Sequence, residues 1–129
     1  MVLEPFALYA FNDSGINVPT TAVIADSYDP VPAGKIFVVE HISGYFAIGE
    51  NDIPDRIWAY DDTNRQNIYL PVHFASRPLN FGGSLGVCKM HQFGSPARMY
   101  APESSRLHLR GDANTAGEIS VSFVGHLEP

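Results

Sequence analysis

Between Glu118 and Glu128, Ile119, Val121, Phe123, Gly125 and Leu127 alternate with Ser120, Ser122, Val124, His126 and Glu128. Side chains leave a strand on opposite sides in turn, so this period of two marks a strand with one face in a core. Just upstream, Leu107 and Leu109 alternate with Arg106, His108 and Arg110, and the stretch Gly111–Gly117 is rich in turn formers. The pair reads as strands Ser105–Arg110 and Glu118–Glu128 joined by a hairpin loop. No window of the chain carries apolar residues at the i, i+3, i+4, i+7 spacing of a helix, and 10 Pro and 11 Gly are scattered where they would interrupt one.

The same reading extends to the rest of the chain. Val31-Pro32-Ala33-Gly34 supplies a turn, and the β-branched and aromatic run Lys35–Ile42 follows as a strand that continues through Ser43–Ile48 past a bulge or bend at Gly44. Further strands are expected at Phe6–Phe11, Thr21–Asp26, Arg56–Asp61, Asn67–Phe74, Leu85–Phe93 and Arg98–Ala101. Pro71 has no amide hydrogen to donate, which makes Asn67–Phe74 an edge or broken strand. The expectation is a single all-β domain over residues 1–129, an antiparallel β-sandwich of about eight or nine strands with jelly-roll topology. At 129 residues, 45% hydrophobic and 17% charged, the chain is of a size and composition to bury its own core.

Val31-Pro32-Ala33-Gly34-Lys35-Ile36-Phe37-Val38-Val39-Glu40-His41-Ile42-Ser43-Gly44, with the ending Val121-Ser122-Phe123-Val124-Gly125-His126-Leu127, resembles small bacterial β-sandwich proteins of uncharacterised function. The resemblance covers a minor part of the chain. It implies the fold and carries over no functional residue.

Charge narrows the partners. Fourteen acidic residues against eight basic ones give a net charge of −6, and no run of Lys or Arg exists to neutralise phosphates, so neither nucleic acid nor an anionic membrane is an expected partner. Cys88 is the only cysteine, which excludes an intrachain disulfide. Met1–Phe6 lacks the basic and apolar regions of a signal peptide, and no apolar stretch reaches membrane-spanning length. These features suit a cytoplasmic protein, or a secreted one with its leader removed.

Several motifs suggest chemistry and are better explained without it. Gly82-Gly83-Ser84-Leu85-Gly86 fits the G-x-S-x-G pattern, but that pattern activates a serine only on a strand-to-helix turn of a larger α/β fold. Arg110-Gly111-Asp112 is the tripeptide of integrin ligands and falls in the expected hairpin loop, where an ordinary polar turn is the simpler reading. His41, His73, His91, His108 and His126 lack H-x-H or H-E-x-x-H spacing, so a cupin-like metal enzyme ranks last, and neither a metal nor another cofactor is expected. Glu50, Asn51, Asp52 and Asp55 precede one strand while Asp61, Asp62 and Asn64 follow it. They are too far apart to share a Ca²⁺ ion and read as solvated loop groups. Cys88 and His91 fall on opposite faces of a strand, leaving Cys88 as a small core residue.

Arg56, Trp58 and Tyr60 share one strand face, with Asp62 just beyond. Rings beside hydrogen-bonding groups suit a sugar or another planar ligand. The competing arrangement, favoured for a lone Trp, buries Trp58 and Tyr60 and turns Ile57 and Ala59 outward. The leading functional expectation is a non-catalytic binding module for a carbohydrate or protein partner, with glycans first. The alternative is a structural subunit of a homo-oligomer that packs outward apolar residues such as Val38 and Val124 between protomers.

Overall fold

The segments with the strongest alternation become the longest strands of the computed structural model, which describes residues 3–19, 22–63, 67–73, 79–80 and 87–129. Among these residues the chain forms ten strands and no helix: β1 (Glu4–Pro19), β2 (Val23–Asp26), β3 (Ile36–Gly49), β4 (Arg56–Asp61), β5 (Ile68–Tyr69), β6 (Val72–His73), β7 (Leu79–Asn80), β8 (Val87–Ala101), β9 (Leu107–Asp112) and β10 (Thr115–Glu128). They build two antiparallel sheets. One runs β1-β10-β3-β8-β6, with β7 also on β8, and the other runs β2-β9-β4-β5.

This order is a jelly roll. The antiparallel pairs β4·β5, β3·β8, β2·β9 and β1·β10 are those of one long hairpin, folded back at β5 and then rolled so that successive pairs fall in alternate sheets. The inner faces meet over Phe37, Phe46, Phe123, Leu107, Leu109 and their buried neighbours. Phe6 packs edge-on against Phe37 with ring centroids 5.0 Å apart.

The expected C-terminal hairpin is corrected. Both strands exist, but β9 and β10 belong to different sheets, and the link between them is only Ala113-Asn114. Leu107 and Leu109 from one sheet join Ile119, Val121 and Phe123 from the other in a single core cluster, so the chain arches across the sandwich where a hairpin would have paired its strands edge to edge. Asp52 fixes this arch, its carboxylate accepting from the backbone N–H and hydroxyl of Thr115 at 2.6 and 2.7 Å and from Ile53 N–H at 2.8 Å. Gly44 lies in regular register with Val121 and Phe93, with no bulge. A Cβ at Gly44 would stand 1.9 Å from the Ser120 carbonyl oxygen, so glycine is required there by close backbone approach. The bulge is at Glu40, the extra residue opposite the Val124–Gly125 step. Likewise β8 continues through Gly94–Arg98, where two separate strands were expected, and its register shifts between Pro96 and Met99.

Two other turn residues act as expected. Pro71 lies where the chain leaves β5 in one sheet for β6 in the other. Gly34 has φ +74° in the turn closed by Lys35 N–H on the Pro32 carbonyl. Among the described residues no helix is long and apolar enough to cross a membrane.

Candidate functional site

Strand β4 alternates with Ile57 and Ala59 buried and Trp58 and Tyr60 half-buried. This reverses the expectation that the lone Trp faces the core: the small Ala59 and branched Ile57 fit between the sheets, and both rings lie on the outer face. Cross-strand register then sets their neighbours. Trp58 stands between Arg110 of β9 and Tyr69 of β5, Tyr60 opposite His108, and Arg56 opposite Asp112.

The result is a continuous polar and aromatic surface. The Trp58 and Tyr69 rings are 5.7 Å apart and inclined by 35°. The Arg56 and Arg110 guanidinium carbons lie 4.8 and 5.0 Å from the centre of the same indole, within range of cation–π attraction. Asp112, nearly buried, accepts from Nε of Arg56 at 3.2 Å and Nε of Arg110 at 3.0 Å, tying both guanidiniums to one carboxylate. Trp58, Tyr60, Asn67, Tyr69 and Arg110 line an open cleft of about 300 Å³. Arg110 and Asp112 also line a neighbouring hollow of about 580 Å³ formed with Ile53, Pro54, Asp55, Ala113 and Asn114.

Tyr60 is held from behind. His108 stacks on its ring at 5.0 Å, and the two imidazole nitrogens reach Asp26 at 2.6 Å and Asp62 at 2.5 Å. Burial opposes charge on His108, but the hydrogen bonds its ring donates to the Asp62 and Asp26 carboxylates outweigh it and raise the imidazole pKa. Burial also raises the Tyr60 phenol, helped by Asp26 and opposed by Arg110, so its hydroxyl stays protonated at neutral pH. Of the four residues expected to form the site, Arg56, Trp58 and Tyr60 come together on this face. Asp62 serves it indirectly, through His108 and the Arg106 N–H it accepts at 2.7 Å. Burial would raise the Asp62 carboxyl, yet that backbone hydrogen bond and His108 hold it below its ordinary value.

The other motifs fare differently. Arg110-Gly111-Asp112 ends β9 and is not on a loop tip; Gly111 is buried and Asp112 is engaged by both arginines, so the tripeptide is not displayed as an integrin ligand displays it. Gly82–Gly86 and Asn64 lie outside the described residues. Of the acidic loop groups, Asp52 anchors the arch and buried Asp61 accepts from the Thr63 hydroxyl. Cys88 is buried, but outside the inter-sheet core cluster, and burial raises its thiol pKa. His126 holds Glu40 at 2.5 Å and Glu128 at 3.1 Å, His41 is exposed, and His91 is buried, where desolvation and then Lys89 lower its pKa. Among the described residues no group of three or more His, Cys, Asp or Glu side chains is placed to hold a metal ion. Val38 is only 1% exposed and unavailable to a second protomer, whereas Val124 is 44% exposed.

Tyr69, Asn67 and Arg110 were not singled out as parts of this face from the sequence. Their placement depends on which strands flank β4, for which the local pattern holds no signal. Comparison with protein-family models, curated proteins and solved structures finds no match.

Proposed function

We propose that the chain is a non-catalytic carbohydrate-binding module whose ligand lies on the outer face of the β2-β9-β4-β5 sheet. The observation that carries this reading is the cleft in which Trp58 and Tyr69 offer ring surface while Arg110, Asn67 and the Tyr60 hydroxyl offer hydrogen bonds. A sugar ring has an apolar C–H face and a polar rim, and aromatic rings beside fixed polar groups satisfy both at once. The groups lining the cleft are rings, an amide, a phenol and a guanidinium, a set suited to holding a ligand more than to moving protons at neutral pH.

Glycan-array screening followed by titration calorimetry tests the proposal. Trp58→Ala is expected to weaken binding by about tenfold or more, since each aromatic contact contributes of order 1 kcal/mol beyond the area it covers. Tyr69→Ser, at a 61% exposed position that can change without disturbing the core, should weaken it as well. Silence across the array, or a ligand whose affinity neither substitution changes, overturns the reading.

A second reading, a subunit of a homo-oligomer, draws on the other sheet. There Tyr9, Phe11 and Val124 are 57%, 40% and 44% exposed. Tyr9 and Phe11 pair with Ser122 and Ser120, leaving a shallow surface between them and Tyr45. Sedimentation showing a stable oligomer that Val124→Glu dissociates supports this reading. A monomer at high concentration refutes it.

A further inference from the structure

Building on the carbohydrate reading, we propose that the saccharide taken by the Trp58 cleft is anionic, with its carboxylate or sulfate group held by Arg56 and Arg110. Both guanidinium carbons stand within 5.0 Å of the same indole centre, and both groups meet on the one Asp112 carboxylate. Each commits its Nε to Asp112. Among the described residues the terminal nitrogens of both carry no hydrogen bond, which leaves their forked donor edges open. Two guanidiniums against the single Asp112 carboxylate leave one positive charge in excess, in a chain whose net charge is −6. Planar forks of this kind match a carboxylate or sulfate with paired hydrogen bonds, a geometry that a neutral hydroxyl cannot use in full.

The neighbouring charges place the anion within the site. The Tyr60 end carries the Asp26 and Asp62 carboxylates on either side of His108, and the adjoining hollow carries Asp55. Both directions away from Trp58 therefore repel a second anionic group. Because Arg110 lines the cleft and the hollow alike, a chain of sugars can run from one to the other. The ligand is then an oligosaccharide whose acidic unit sits at Trp58 and whose next unit, in the hollow, is neutral.

The test pairs each acidic glycan with its neutral form, a uronate against its methyl ester and a sulfated sugar against its desulfated parent, on an array and then by calorimetry with the full chain. The acidic form is expected to bind at least about tenfold tighter, and added salt should narrow the gap. Arg56→Gln, at an exposed side chain, should remove most of the preference for the acidic form, with thermal melting confirming the fold. Arg98→Gln, on the opposite sheet, should change neither. Preference for the uronate or for the sulfated sugar identifies which anion is read, and either supports the inference. Equal binding of acidic and neutral forms, still lost in Trp58→Ala, overturns the anionic inference and leaves the carbohydrate reading standing. No binding by any glycan overturns both.

Discussion

Gly111 lies on the core side of β9, between the two residues that anchor the outer face. An added Cβ would stand 2.7 Å from Phe46 Cε2, 2.9 Å from Cδ2 and 3.2 Å from Cζ. Phe46 is wholly buried and its ring has no solvent to swing into. Gly111→Ala is therefore an overpacking substitution, and forcing a methyl group into such a core costs about 1–3 kcal/mol. For a chain of this length that lowers Tm by roughly 3–15 °C. The backbone argues the other way: Gly111 is not at positive φ, and Ala at a compatible position stabilises by about 0.4–1 kcal/mol through the unfolded chain. The sign of the change thus separates the two effects. Urea and thermal melts of Gly111→Ala, Phe46→Leu and the double variant provide the assay. The double variant should lose less than the sum of the singles, because the smaller side chain vacates the space the methyl needs. A Gly111→Ala protein that melts at or above the wild-type temperature refutes the packing argument.

Two further predictions follow from side chains described above. His108, with its pKa raised because hydrogen bonds to Asp62 and Asp26 outweigh burial, contributes stability that is full below the ordinary imidazole pKa of about 6.5 and is lost as pH rises through the folded-state value. Urea midpoints should therefore fall between pH 6 and pH 9 more steeply in the wild type than in His108→Gln, and equal slopes would contradict the clamp. Asp52→Asn should cost about 1–3 kcal/mol by placing an amide where the carboxylate accepts three hydrogen bonds. Burial of Asp52 is outweighed by its bonds to Thr115 and Ile53, which lower its pKa. The wild-type advantage should be present above the ordinary carboxylate pKa of about 3.9 and vanish as pH drops through the lowered value, as acid titration of both proteins would show.

The all-β class, the antiparallel sandwich and the limits of β4 were legible in the sequence because each rests on a local signal, alternation bounded by turn formers. The partner of each strand was not. A hairpin and an arch between sheets both read as two alternating strands around Gly, Asp and Asn, and only the pairing of β9 and β10 into different sheets, over a shared core, decides for the arch. Glycine within a strand was equally ambiguous: Gly44 answers to the Ser120 carbonyl, while the bulge falls at Glu40, which carries no such signal. For the candidate site, shared parity grouped Arg56, Trp58 and Tyr60 but could not say which way they faced. Tyr69, Arg110 and Asp112 joined them through register across two other strands.

Strand β9 divides its residues between two tasks. Leu107, Leu109 and Gly111 fill the core, and His108, Arg110 and Asp112 build the outer face. A slip of one position would exchange the two sets, sending arginine and aspartate inward and leucine out. The core therefore locks the register of the site, and the positions of Arg110 and Asp112 are settled when the protein folds, before any ligand arrives. For the proposed glycan binding, little ordering would then be left to oppose association, and differences in affinity between ligands should reflect how well each fits the surface already in place.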